Sequence, residues 1–167
     1  MNDLIKADIG ELGDGRNIIP FFTIAWSLHD LIAYVLQYTG IANVQLCTFS
    51  ISEAGVRTFM NLQEEGLLNK LDIIIDHTAK KNKVDVMLFA NECCSLHLAD
   101  VHAKVVIISR KHHSSIIIIS SANLNTVKRY EAGLIIMEDY HTEKYFEDNL
   151  QTLLALSIPY IPDGTEA

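Results

Sequence analysis

The stretch VHAKVVIISRKHHSSIIIISSANLNTVKRYEAG, residues 101–133, decides how this chain is read. It contains two short apolar strands, His102–Ser109 and Ser115–Ser120, joined by a polar, basic turn over Arg110–Ser114. Side chains two apart on a strand share a face, so His102 and Lys104 form one pair. Past the second strand, Ser121 and Asn123 form another. A hairpin closing on this turn pairs positions whose numbers sum to about 224. An even sum puts the two pairs on opposite faces, and an odd sum brings all four together. A one-residue slip flips every side chain, so the apolar pattern leaves the register open. The odd register is expected, because no other register assembles a phosphate site.

Together these four would offer an imidazole, an ammonium, a hydroxyl and an amide. That combination suits a phosphate ester: three groups grip non-bridging oxygens while the imidazole attacks or moves a proton. In order along the chain, His102-Ala103-Lys104, Ser120-Ser121-Ala122-Asn123 and Glu131 resemble the HxK … (G/S)SxN … E signature, the HKD motif, of the phospholipase D superfamily. Phosphatidyltransferases, non-specific nucleases and restriction-enzyme nuclease domains belong to that group. The resemblance implies a layered α/β fold with catalytic His102, Lys104, Asn123 and Glu131, the last orienting the histidine ring. Ser120 and Ser121 would bind substrate, with Lys128 and Arg129 flanking them.

The resemblance also implies hydrolysis without metal or other cofactor, through a phosphohistidine. Many relatives carry two HxK motifs, whereas this chain has one, so a homodimer with its active site on the two-fold axis is expected. Two departures stand out. Ser109 replaces the family's usual acid five positions after the lysine, which puts hairpin stability in question before chemistry. Ser120 replaces the usual glycine.

Outward from this stretch, 167 residues with 49% hydrophobic content describe a single domain, residues 1–167, large enough for a proper core. Net charge is −8, but residues 101–130 hold Lys104, Arg110, Lys111, Lys128 and Arg129 and no acid. A local excess of five positive charges attracts a polyanion while the rest stays soluble. No secretory signal and no bilayer-length apolar run is visible, and three cysteines make no disulfide framework, so a reducing cytoplasmic setting is expected. Cys93, Cys94, His97 and His102 match no usual zinc spacing.

Residues 1–16 read as an irregular start and 157–167 as a tail, with docking by Tyr160 and Ile161. Strands are expected at Asn17–Ala25, Val44–Ser50, Lys70–Asp76, Ser95–Ala99 and Ala132–Met137; Pro20 marks the first as an edge or as starting late. Helices are expected at Leu28–Tyr38 capped by Ser27, after Ser52 as far as Gly66, at Val84–Glu92 and at Thr142–Leu156, with Tyr145 inward. Trp26 reads as core. Alternating strands and helices followed by a strand-rich run give a mixed sheet sandwiched between helices.

The functional expectation is a homodimeric nuclease, or another phosphodiesterase, with nucleic acid or a similar phosphodiester as substrate. The alternative is a non-catalytic dimeric module that keeps the fold for binding or assembly; the acidic surface and Ser109 favour it.

Overall fold

Apolar residues buried on both faces of a sheet produce unbroken runs, and residues 105–108 and 116–119 are such runs. A computed structural model of the chain, described over residues 1–79, 83–126 and 129–162, places them at the centre of the molecule. The elements are α1 (Asn2–Ile9), β1 (Ile18–Thr23), α2 (Leu28–Thr39), β2 (Ala42–Thr48), α3 (Glu53–Glu64) and β3 (Leu68–Asp76), then α4 (Val84–Asn91), β4 (Ser95–Ala99), β5 (Val105–Ser109), β6 (Ile116–Ser120), β7 (Glu131–Ile136), α5 (Tyr140–Leu156) and β8 (Ile158–Pro159). The strands form one eight-stranded sheet in the order β1-β7-β6-β5-β2-β3-β4-β8. β2, β3 and β4 run parallel and every other neighbouring pair is antiparallel, so the sheet is mixed as expected.

Alternation sorts the strand residues into two cores. Val44, Leu46, Ile73, Ile75, Val106, Ile108 and Ile118 pack with Leu31, Ile32, Val35, Val56 and Phe59 of α2 and α3. On the other face, Cys47, Ile74, Val105, Ile107 and Ile117 lie beneath Leu150 of α5, with Phe146, Leu153 and Leu154 packed around them. One helix cannot cover a sheet of this width. β1 accordingly alternates exposed and buried residues, leaving Ile18 (55% exposed) and Phe22 (67%) bare beside Leu134 of β7.

β7 threads between β1 and β6 only because Gly133 has no side chain. A Cβ there would lie 2.2 Å from the Ile119 carbonyl oxygen and 2.4 Å from the Phe21 ring. Gly133→Ala is therefore expected to destabilise the domain by about 3 kcal/mol. Thermal denaturation should show a midpoint roughly 10 °C lower.

Several expectations need correction. Residues 2–9 form a helix, because Ile5 and Ile9, one turn apart, bury against the core and Gly10 closes the end at φ +81°. In the tail, Ile158–Pro159 forms a strand paired with β4, while Tyr160 docks as expected, its N–H donating to Leu96 O and its ring buried. Ile161 stays exposed, and so does Tyr145, on the outer side of α5. Ser27 and Trp26 behave as read, Ser27 in a capping box with Asp30 and Trp26 in the core.

Candidate active site

β5 and β6 pair as Val105↔Ile119 through Ile108↔Ile116, the even register, not the odd one expected. Four consecutive isoleucines make the two faces of β6 chemically alike, so hydrophobicity gave no preference for either register. The candidate residues nevertheless converge, because both strands stop short of them. The last rung is the Ser120 N–H donating to Lys104 O at 3.0 Å. Beyond it the chain leaves the sheet and strand parity ceases to apply. The first strand, expected from His102, begins only at Val105.

His102, Lys104, Ser121, Asn123, Arg129, Tyr130 and Glu131 line one cavity of about 520 Å³ with Ala122, Asn125 and Thr126. His102 is exposed, its ring 5.1 Å from the Phe49 ring and its Nδ1 3.3 Å from Lys104 Nζ. Lys104 is buried, and its ammonium donates to His102 O at 2.6 Å. The Asn123 Oδ1 accepts from the Phe49 N–H (3.2 Å) and from Thr48 Oγ1 (3.3 Å). With its oxygen spent on protein donors, the amide has its Nδ2 donor for the cavity.

Ser121 and Glu131 are engaged with each other. Ser121 Oγ donates to Glu131 Oε2 and accepts from the Ala132 N–H at 3.0 Å. Glu131 thus holds Ser121, where the family resemblance implied a bond to the His102 ring. Ser120 turns its hydroxyl back to accept from the Ala122 N–H at 2.9 Å and does not line the cavity. Arg129 stands exposed at the cavity wall; Lys128 lies outside the described residues.

The segment carrying Asn123 is clamped onto the loop after β2. Leu124 N–H donates to Ser50 O (3.2 Å), Ser52 N–H to Leu124 O (2.9 Å), and Asn125 Nδ2 to Ser50 Oγ (2.6 Å). Lys83 Nζ donates to Ile51 O (2.7 Å) and Asn125 Oδ1 (3.3 Å), and burial pushes its ammonium below the usual lysine range. Gly55 permits the approach: a Cβ would sit 2.9 Å from Leu124 O. Sequence reading missed Phe49, Thr48 and Lys83. The signal for the first two was their place at the carboxyl end of a strand, where open α/β sheets bind ligands.

Asp76 anchors the other side. Burial works to raise its carboxyl, but bonds from Thr78 and from the Val101 N–H (3.3 Å) outweigh it and hold it below the usual range. Val101 is thereby fixed immediately before His102. Among the described residues, Asp76, His77 and Asp100 are the one group close enough to share an ion, and Asp76 is already spent on these donors.

At the far end of the hairpin, Ser109 Oγ lies 3.2 Å from Ser115 Oγ. Ser115 donates its N–H to Glu143 Oε2 (3.1 Å) and its hydroxyl to Glu147 Oε1 (2.7 Å). α5 therefore delivers carboxylates to the hairpin end that lacks its own acid. Glu143 is buried with Oε1 unpartnered, and burial raises its pKa. Its ionisation is harder in the folded chain than in the unfolded one. Stability is then expected to fall as pH rises from the ordinary glutamate range through the raised value. Glu143→Gln should flatten that part of a urea-midpoint-versus-pH curve and stabilise the protein near neutrality.

Neither a protein-family model nor a curated protein sequence matches this chain. Among solved structures, Nuc from Salmonella typhimurium, a phospholipase D family member, superposes at TM-score 0.69 and 15% identity, over 86% of this chain and 97% of that one. NucT from Helicobacter pylori gives 0.64 and 17%, over 86% and 99%. TrmBL2, an archaeal chromatin protein with a novel mode of DNA binding, gives 0.59 and 10%, over 94% of this chain and 59% of that one. At such identities the shared property is the architecture: this chain has the phospholipase D-like fold.

Proposed function

We propose that the chain is a phosphodiesterase, most specifically a nuclease, that works as a homodimer without a metal ion. The observation that carries this reading is the convergence of His102, Lys104 and Asn123 on one cavity in an otherwise acidic protein. One His102 attacks phosphorus through Nε2, forming the P–N bond as the P–O bond to the leaving group breaks. The His102 of a second chain protonates the leaving oxygen. It then takes a proton from water, which attacks phosphorus and breaks the P–N bond. Lys104 and the Asn123 amide stabilise charge on the phosphoryl oxygens.

In the resting geometry the Lys104 ammonium faces Nδ1, and a bond between them leaves a neutral ring with its proton on Nε2. Both roles need Nδ1 protonated instead: the attacking ring to free its Nε2 lone pair, and the acid to carry a second proton as an imidazolium. Glu131 lines the same cavity and can take over Nδ1 when substrate displaces it from Ser121.

Two features support the dimer. A single chain offers one motif histidine, and the bare face of β1 and β7 adjoins the cavity. The Phe22 ring stacks on Tyr130, centroids 5.1 Å apart and 8° from parallel, and Tyr130 lines the site. Among the described residues no helix is long and apolar enough to cross a membrane. Free Cys47, Cys93 and Cys94 fit a cytoplasmic setting.

Hydrolysis of bis(p-nitrophenyl) phosphate and of single- and double-stranded nucleic acid, with EDTA present, tests the reading. Activity that vanishes with chelator and returns with a divalent ion contradicts it. Phe49→Leu should slow turnover by roughly tenfold to a hundredfold, since the ring that steadies His102 is lost. A second reading, a non-catalytic nucleic-acid-binding module, draws on Ser109 and on the likeness to TrmBL2. Binding of DNA with no release of p-nitrophenol would favour it.

A further inference from the structure

Adjacent residues on an extended chain point apart, but Cys93 and Cys94 do not. They occupy the turn between α4 and β4, and both their N–H groups donate to Ala90 O, at 3.0 and 3.1 Å. Both thiols approach that same oxygen, Cys93 Sγ at 3.4 Å and Cys94 Sγ at 3.1 Å. Two sulfurs gathered on one acceptor lie on the same side of the turn. Both residues remain partly exposed, while Cys47 is sealed in the core beneath α5. Gln63 Nε2 donates to Cys93 O at 2.7 Å and ties the turn to α3.

We propose that Cys93 and Cys94 form a reversible two-electron redox site whose oxidant is a hydroperoxide and whose product is a vicinal disulfide. Its chemistry is independent of the phosphodiesterase reading. The Cys93 thiolate attacks the distal peroxide oxygen, the O–O bond breaks, and Cys93 becomes a sulfenic acid while the alkoxide or hydroxide takes a proton. The Cys94 sulfur then attacks the Cys93 sulfur, forming the S–S bond and expelling the hydroxyl as water with the Cys94 proton. Two thiols are oxidised by two electrons in all, and one peroxide is reduced.

The environment assigns the order of attack. Cys94 Sγ lies closer to Ala90 O (3.1 Å) than Cys93 Sγ does (3.4 Å), so the Cys94 proton is the more firmly held and Cys93 is the nucleophile. The neighbouring thiol acts in the same direction, lowering Cys93 from the ordinary thiol range, while Cys94, half-buried beside that sulfur, is pushed up. Consecutive Cα atoms are about 3.8 Å apart, closer than the roughly 4.4 Å at which ordinary disulfides begin. The bond is consequently strained and easily reduced, as a reversible site requires. Closing the ring must also disturb the two bonds to Ala90 O that finish α4.

The test uses the full chain and its Cys47→Ala, Cys94→Ser and Cys93→Ser variants, treated with one equivalent of hydrogen peroxide. In the wild type and in Cys47→Ala, two native-state thiols reactive with DTNB should disappear together. Intact mass should fall by two hydrogens, peptide mapping should link Cys93 to Cys94, and dithiothreitol should restore both. Cys94→Ser should stop at a sulfenic acid trapped by dimedone on Cys93, and Cys93→Ser should oxidise at least about tenfold more slowly. Thermal melting of each variant checks that the turn still folds. A disulfide between chains, one involving Cys47, or a mass gain of oxygen with no loss of hydrogen in the wild type overturns the proposal. So does loss of the two thiols independently, at unequal rates.

Discussion

His102→Ala is expected to abolish phosphodiester hydrolysis, a loss on the order of 10⁴-fold or more. The side chain is the proposed nucleophile in one chain and the proposed acid in the other, so a single substitution removes both from a dimer. Its structural cost should be small. His102 is exposed, its contacts being the Phe49 ring and the Lys104 ammonium, so the melting midpoint should hardly move. His112 and His113 supply the comparison. Both are exposed in the hairpin turn at the other end of β5, and replacing either with alanine should at most weaken binding. Equal losses from all three substitutions would show that the wrong histidine carries the chemistry. Retained turnover in His102→Ala would remove the catalytic reading altogether.

Ile18→Glu is expected to dissociate the dimer and to take the activity with it. Ile18 is 55% exposed and pairs with Ile136 on the outer strands, so the fold should tolerate the change. In an isologous interface the substitution places two carboxylates in an apolar contact, and dissociation should rise about a hundredfold or more. Light scattering should report a monomer where the wild type is a dimer, and activity per chain should fall with dilution. Bringing two basic motif faces together carries an electrostatic penalty, which bound phosphate offsets, so the wild-type dimer should tighten with a phosphodiester present. Mixing His102→Ala with Lys104→Ala chains gives a complementary check, because a composite site with one intact histidine and one intact lysine should differ in rate from either parent. A wild-type monomer fully active at nanomolar concentration would sink the dimeric mechanism.

Sequence alone determined the α/β architecture with a mixed sheet, and it named His102, Lys104, Ser121, Asn123, Arg129 and Glu131, which line one cavity. Pro20 allowed an edge strand or a late strand start, and the first holds: β1 is the edge and begins before it, at Ile18. Ser27 and Ser52 marked helix starts, and both accept a capping bond. The isoleucine and valine runs marked two apolar strands, and β5 and β6 lie there, buried on both faces. These features are local: each depends on a few neighbouring residues and on periodicity, which a sequence displays directly.

Tertiary structure decided how the site is assembled. The hairpin register is even because pairing with β2 and β7, together with burial on both faces, selects it; four identical side chains cannot. His102 and Asn123 share a cavity in which Asp76 holds Val101 on one side and Phe49, Ser50 and Lys83 hold residues 123–125 on the other. Those partners lie 25 to 75 positions away along the chain, as for Val101 with Asp76 and Asn125 with Ser50. Glu143, from α5, reaches a hairpin 28 residues earlier. Hydrogen bonds spanning such separations carry no period and no motif, so only the folded chain reveals them.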